Sequence, residues 1–285
     1  MFKFIVDVDS SRLDVFIVSK FPSLSRSFVS TLCDQGKVNV NSKTTYKTST
    51  KVRIGDKVDV DYDESVQADI PEINLDILYK DEDCIVVIKP EGVLTHSKGA
   101  FNPEATVSTF IRQFTEGMND NRGGIVHRLD RITSGLLICA RNESALTWLQ
   151  KQFAERKAKK TYLAVVTGTP EQQEAFIDMP IERNPKKPQT FRAGPNGKQA
   201  KTKYKVLKSN NKYSLLELNP ETGRTHQLRV HLSQIGHPII GDVLYGGEQA
   251  ERTYLHALSL EIIIPNREKK IFECPIPDSF NKLMK

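Results

Sequence analysis

Within GGIVHRLDRITSGLLICARN, residues 123 to 142, an aspartate stands between two arginines. Arg128, Asp130 and Arg131 follow His127 and precede the apolar run Leu136, Leu137, Ile138 and Cys139. That run has the character of a buried strand, and Thr133-Ser134-Gly135 that of the turn leading into it. The charges therefore belong at the edge of a core, beside a strand end. Guanidinium groups next to a carboxylate favour its anionic form, which makes Asp130 a poor general acid and an available nucleophile. The same residues would equally form an ion-pair staple, and spacing alone does not separate the two readings.

Other chemistries find less support. His226 and His231 are five apart, off the i, i+4 spacing that puts two metal ligands on one helical face, and both read as structural. GGEQAE and GPNGK lack the spacing of a phosphate-binding glycine loop, and the G-x-S-x-G elbow of serine hydrolases is missing. Cys33, Cys84, Cys139 and Cys274 form no Cys-x-x-Cys pair and read as buried free thiols. Neither a metal nor a nucleotide cofactor is expected.

The elements that must position Asp130 follow from hydrophobic period. Cys84 to Ile88 read as a second buried strand, stopped by Lys89-Pro90 and the Glu91-Gly92 turn. Thr106 is placed to cap a helix carrying Val107, Phe110, Ile111 and Phe114 on one side. A helix from about Ser144 carries Ala145, Trp148, Leu149 and Phe153, whose spacing favours core packing over stacking on a base. KKTYLAVVTG and KYSLLELN read as strands, and TGRTHQLRVHLSQIG as a helix capped by Thr225, ended by Gly236, with Leu228, Leu232 and Ile235 inward. Strands and helices mix without regular alternation, so an α+β class is expected: a mixed, mainly antiparallel sheet with flanking helices.

Ahead of these elements, residues 10–60 hold nine basic side chains against four acidic ones. Leu13, Phe16, Ile17 and Phe21 fall at helical spacing, and Ser25 can cap a second helix that buries Phe28, Val29, Leu32 and Cys33 before Gly36. Val38 and Val40 then alternate with polar residues, and VRIGDKVDV supplies a Gly-Asp turn between short strands. This describes a small α/β module. Residues 61–76 carry six acids and no base and read as a linker, which leaves 77–285 as the larger domain. A second basic block, 183–208, has nine bases and no acid, and its Pro and Gly residues suggest a mobile loop. Two separate basic blocks, in a chain of formal net charge +6, point to a polyanionic partner, most simply nucleic acid. With no leader segment and no run of eighteen apolar residues, a soluble, cytoplasmic protein without a membrane partner is expected. A monomer is the expected state.

Residues 10–60 resemble the alpha-L RNA-binding motif, on RLD at 12, SRS at 25, GKVNVN at 36 and GDKV at 55. The resemblance implies that Arg12, Arg26, Lys37 and Lys43 face RNA phosphates. GGIVHRLDRITSGLLICARN in turn resembles the nucleophile motif of pseudouridine synthases of the RluA/RluD type. The agreement continues through LYKDEDCIVVIKPEGVLTH, KKTYLAVVTG, ETGRTHQLRVHLSQIGHPIIGDVLYGG, YLHALSLEI and FECPIPDSF, in the family's order.

That resemblance implies a cofactor-free, metal-free isomerase that converts uridine in RNA to pseudouridine. It implies Asp130 as the nucleophile that detaches uracil, with attack on the sugar and on the pyrimidine ring both open. It implies Tyr162 stacking on the base and available as a base at carbon five, Arg229 pairing with the catalytic carboxylate, Arg128 filling the gap left by the flipped nucleotide, and Leu260 packing near the base. Arg224 is assigned to RNA binding, as are Lys186, Lys187, Lys198 and Lys201 of the second block, while His127 reads as structural. An alpha-L module ahead of this domain implies large-subunit ribosomal RNA as substrate, with transfer RNA as the alternative. Two other classes stay open. A non-catalytic RNA-binding or ribosome-assembly factor would be expected to lack Asp130 or Arg229. A metal-free hydrolase would need a second carboxylate, for which the sequence offers Glu221 and Asp242 without a pairing motif.

Overall fold

The computed structural model describes residues 1–9, 11–21, 24, 26–62, 71–97, 104–118 and 122–285. The chain groups into two compact units: residues 1–73, 96–110 and 119–123 form the first, and 74–95, 111–118 and 124–285 the second. Two segments beyond the acidic stretch thus group with the first unit. Most of that stretch, 63–70, and the expected cap Ser25 lie outside the described residues.

The first unit contains β1 (Phe2–Ile5), β2 (Ser11–Arg12), α1 (Leu13–Lys20), α2 (Arg26–Asp34), β3 (Val38–Val40), β4 (Lys43–Thr44), β5 (Lys51–Val52) and β6 (Lys57–Val60). An antiparallel sheet runs β1-β6-β3-β4, and β2 pairs separately with β5. The helical spacing of Leu13, Phe16 and Ile17 puts them in one core with Val29, Leu32 and Cys33 of α2 and the inward residues Val38, Val58 and Val60. Phe21 meets Phe2, Phe4 and Tyr62 edge to face, the geometry that ring quadrupoles prefer. α2 ends before Gly36, whose φ of +70° is easy only for glycine.

Buried Asp14 organises the basic face of this unit. Arg12 approaches it at 3.0 Å and Arg26 at 2.7 Å, while their side chains stay 47% and 57% exposed. Hydrogen bonds from Arg12, opposed by burial and helped by Arg26, hold the Asp14 carboxyl at about 2, against an ordinary 3.8. A group held low in the folded state stabilises it above the unfolded pKa and loses that contribution as pH falls through the folded value. Asp14→Asn should therefore destabilise the first unit by about 2 kcal/mol at neutral pH. The penalty should fade as pH falls from about 4 towards 2. Hydrogen exchange of the α1 amides across that range measures it.

The second unit contains β7 (Asp76–Lys80), β8 (Cys84–Lys89), β9 (Ser134–Ala140), α4 (Glu143–Ala154) and β10 (Lys159–Thr167). It continues with β11 (Glu174–Asp178), β12 (Ile181–Arg183), β13 (Phe191–Ala193), β14 (Lys201–Ser209), β15 (Tyr213–Pro220) and α5 (Gln227–Gln234). It closes with β16 (Leu255–Ile263), β17 (Lys269–Glu273) and α6 (Asp278–Leu283). Between β8 and β9, and shared by the two groupings, is the short α3 (Val107–Ile111), where Thr106 and Thr109 each accept the other's backbone N–H through their hydroxyls. The main sheet runs β11-β14-β15-β10-β16-β9-β8-β7, with β17 also on β16. Every pairing is antiparallel except β16 with β9, which are parallel through His256/Ser134 and Ala257/Gly135. The expected mixed, mainly antiparallel sheet is what forms.

Alternation along β10 explains how helices cover it. Ala164 and Val166 pack with Leu216, Leu218 and the α5 residues Leu228 and Leu232. Leu163 and Val165, on the other face, pack with Tyr254, Phe280 and Met284. Ala145 and Leu149 of α4 rest on Leu136, Ile138 and Ala140 of β9, with the Asn142 side chain accepting the Ala145 N–H as a cap. All four cysteines are buried and unbridged.

Two expectations need correction. Residues 183–208 are loop only in part: β12 and β13 pair as a hairpin, 201–208 belong to β14, and the connections 184–190 and 194–200 carry Lys186, Lys187 and Lys198. Thr202 and Tyr204 are buried between accessible Lys201, Lys203 and Lys205, so the basic residues mark the outer positions of an alternating strand. Thr225 does not cap α5. The helix starts at Gln227, whose side-chain oxygen accepts the Arg224 N–H, and the preceding His226 has a left-handed φ of +56°.

Candidate active site

Asp130 sits on the loop that feeds β9, and the loop following β8 fixes it. Lys89, fully buried, donates its ammonium to the carbonyls of Pro90, Val93 and Arg131. Burial pushes its pKa down to about 8, against the favourable charges of Asp130 and Glu91. Gly92 N–H also donates to the Arg131 carbonyl, and the Thr95 hydroxyl bonds both the carbonyl and the N–H of Leu129. At the head of β9, Gly135 (φ +113°) runs so close to β16 that a Cβ would overlap the Ala257 carbonyl oxygen. Only glycine allows this parallel approach.

The sequence neighbours of Asp130 are not its partners. Arg131 donates to the Gly92 carbonyl. Arg128 is exposed at the rim, with no carboxylate partner among the described residues. The partner is Arg229, whose Nη1 lies 3.6 Å from Asp130 Oδ2. Arg229 is oriented by a second carboxylate: its Nε and Nη2 bond Asp242 at 2.7 and 2.8 Å. Burial alone would lower the guanidinium pKa, but the bonds and charge of Asp242, with Asp130 adding, move it upward on balance.

A cavity of about 490 Å³ opens over Asp130, within the ~300–1,000 Å³ range of small-ligand sites. Tyr162 lines it, one residue past a bulge in the pairing of β10 with β16; bulges of this kind re-aim side chains beside sites. Burial and then the charge of Asp130 raise the Tyr162 pKa, so its phenol keeps its proton. Lys160 lines the same cavity, its pKa lowered by burial, with no ion pair among the described residues. Arg224 also lines it, its Nε donating to the Gln199 carbonyl.

Several assignments shift. Leu260 is buried with Val86, Leu136 and Phe272 and does not line the cavity; Leu255, on the same strand, does. Phe153 packs against the core of β9 and α4 as expected, and it also lines the cavity and stacks on His127 at 4.5 Å. His127 Nε2 accepts the Ile138 N–H, and burial pushes its pKa down to about 3, as befits a neutral structural imidazole. His231 bonds Thr202 and the Met179 carbonyl, away from the cavity. His226 instead faces Asp130 from 3.9 Å. Lys186, Lys187 and Lys198 are exposed, and Lys201 pairs with Glu221 at 3.6 Å; none of the four lines the cavity. Lys37 and Lys43 lie exposed on the first unit.

A loop-borne aspartate beside a buried arginine thus lines a cavity above a mixed sheet. Residues 83–234 match the family described as RNA pseudouridylate synthase, and residues 11–58 match the S4 domain. A protein of Aquifex aeolicus named as an uncharacterized RNA pseudouridine synthase is 36% identical over 300 residues, covering 99% of this chain and 95% of that protein. Ribosomal large subunit pseudouridine synthase D of Haemophilus influenzae is 33% identical over 293 residues, covering 96% and 90%. The solved structure of human RNA Pseudouridylate Synthase Domain Containing 1 superposes with a TM-score of 0.61 at 32% identity, over 73% of this chain and 86% of that one. The chain belongs to the RNA pseudouridylate synthase family and is an isomerase carrying an RNA-binding S4 domain. No helix among the described residues is long and apolar enough to cross a membrane.

Lys89→Met keeps the volume but strips the Pro90 and Val93 carbonyls of their side-chain donor and leaves the Arg131 carbonyl with the Gly92 N–H alone. It should cost about 3 kcal/mol, since buried acceptors left unpaired cost ~1–3 kcal/mol each. A lowered melting temperature, with faster exchange at the Gly92 and Thr133 amides that hold the Asp130 loop, is the expected readout.

Proposed function

We propose that this enzyme isomerises uridine in large-subunit ribosomal RNA, with Asp130 as the carboxylate that detaches uracil from its ribose. The single observation that carries the reading is the row Asp130–Arg229–Asp242 beside the cavity that Tyr162 lines. Uracil freed from C1′ turns and rejoins through C5, the C5 proton then leaves and N1 takes up a proton, so substrate and product have the same composition. A base must first leave the RNA stack, at a cost of a few kcal/mol that basic contacts offset. Arg128 at the rim is placed to fill the gap, and Lys160, Arg224 and the exposed bases of both units supply phosphate contacts. Tyr162, a protonated phenol over Asp130, serves better as a stacking platform than as a base in the resting enzyme. The named Haemophilus relative supports the ribosomal substrate.

The hydrolase alternative is less favoured: Asp242 is buried and engaged by Arg229, and Glu221, which also lines the cavity, is half exposed and pairs with Lys201 at 3.6 Å. Asp130→Asn should reduce pseudouridine formation on the order of 1,000-fold or more and leave RNA affinity within a few-fold. Arg229→Ala would also strand Asp242 unpaired, so the informative variant is Arg229→Ala with Asp242→Asn, which should fold and remain inactive. Tritium release from 5-tritiated RNA measures both, and near-parental turnover by Asp130→Asn would sink the assignment.

RNA engagement by the first unit has its own test. Lys37→Gln with Lys43→Gln should leave Asp130 chemistry on bound RNA intact. The log–log salt dependence of RNA affinity should become shallower by about 0.7–0.9 for each phosphate that is no longer neutralised. An unchanged slope would mean that these lysines are only a solvated face.

A further inference from the structure

His226 occupies a backbone conformation that side-chain-bearing residues rarely adopt, with φ at +56°. Unusual backbone of this kind collects at functional sites. Its ring lies edge-on to both Phe191 and Tyr245. The Tyr245 hydroxyl oxygen accepts the Phe191 N–H at 2.9 Å and lies 2.7 Å from His226 Nδ1. With the Phe191 N–H already on the oxygen, the hydroxyl proton is left to bond Nδ1 in the tautomer that carries the ring proton on Nε2, and a donor role for His226 towards Asp130 requires that tautomer. Nε2 is the nitrogen that faces Asp130, 3.9 Å from Oδ2. Arg229 Nη1 faces that same oxygen from 3.6 Å. Burial, with the charges of Arg229 and Arg128, opposes an imidazolium here, while Asp130 and Asp242 favour one; the balance lowers the pKa, and the ring acts as a neutral donor.

We propose that His226 is a positioning residue of the isomerisation, whose Nε2–H closes with Arg229 on Oδ2 of Asp130 when a nucleotide fills the cavity, leaving Oδ1 as the oxygen that meets the substrate. This rests on the reading of Asp130 as the reacting carboxylate. A neutral donor suits the role. It aims the carboxylate without adding a second full positive charge that would blunt its nucleophilicity. The β12–β13 hairpin becomes part of the device, because the Phe191 amide starts the chain of donors that sets the tautomer. Both approaches to Oδ2 are longer than hydrogen bonds, and bound substrate commonly tightens contacts of this kind.

Two substitutions separate this role from a structural one. In His226→Gln the side-chain amide nitrogen can reach the place of Nε2. In His226→Asn it reaches only the place of Nδ1, although asparagine suits a left-handed backbone better. Single-turnover tritium release from 5-tritiated transcripts of large-subunit ribosomal RNA and transfer RNA is the assay. His226→Gln should retain a rate within about tenfold of the parent, and His226→Asn should fall on the order of 100-fold, as for a misaimed reacting group. RNA affinity should stay within a few-fold for both. Nitrogen-15 histidine spectra of the parent should show Nδ1 unprotonated and Nε2 protonated, and Tyr245→Phe should disturb that pattern and slow turnover. A His226→Asn enzyme as fast as His226→Gln, or a parent ring protonated at Nδ1, would overturn the proposal. Asp130→Asn run alongside keeps the two readings apart: if it is inactive while His226→Asn is fast, only the role of His226 fails, and if it is active, the reading of Asp130 itself fails.

Discussion

Arg229 can hold Asp130 because another carboxylate already holds Arg229. Asp242 takes Nε and Nη2 in a two-point grip, which fixes the plane of the guanidinium and leaves Nη1 directed at Asp130. The Tyr245 ring lies 4.7 Å beneath the same guanidinium carbon. A lysine could not replace it, since a rotating point charge has no fixed edge to offer. Desolvating a cation is costly unless it is paired and hydrogen-bonded, and Asp242 meets that need without using Asp130. What reads in the sequence as a spare acidic residue is the reason that the arginine has a direction.

The first unit uses the same device on its surface. Asp14 is nearly as buried as Asp242, yet its two arginines remain half exposed. A buried carboxylate at the foot of two guanidinium groups orders them partly beforehand, which would reduce the side-chain entropy lost in any contact they make with an anion. The drawback is charge, since Asp14 offsets part of the field that draws RNA in. Lys37 and Lys43 carry no such anchor and keep their full long-range attraction.

Strands whose faces are both buried were the most legible part of the fold, because continuous apolar runs such as Leu136–Cys139 and Cys84–Ile88 admit few other readings. The stripe of α4 and the inward leucines of α5 were equally plain. Asp130, Tyr162 and Arg229 could be named only through long family motifs; local spacing alone left Asp130 between staple and nucleophile. Proximity in sequence misled at Arg128 and Arg131, because the backbone carries their guanidinium groups away from the carboxylate between them. For His226 the spacing to His231 was the wrong comparison: its partners lie on Tyr245 and Asp130, and no local period reports a contact made through folding. The 183–208 block hid β14 because lysines alternate with its buried residues at Lys201, Lys203 and Lys205. Leu260 and Leu255 lie on one strand, and which of them meets the cavity depends on local pairing that a motif does not carry.

The order of the main sheet sets when an active enzyme can first exist during synthesis. Strands β7 to β9, with α4, can assemble from the early part of the second unit, and β10, β11, β14 and β15 pair among themselves. Yet β10 and β9 are not neighbours: β16, made much later, stands between them. Asp130 belongs to one half and Tyr162 and Arg229 to the other, so their common cavity waits for residues 255–263 to leave the ribosome. Until then the nascent chain holds an S4 module already synthesised and Asp130 without its arginine, so the late strand sets the moment at which the cavity is complete.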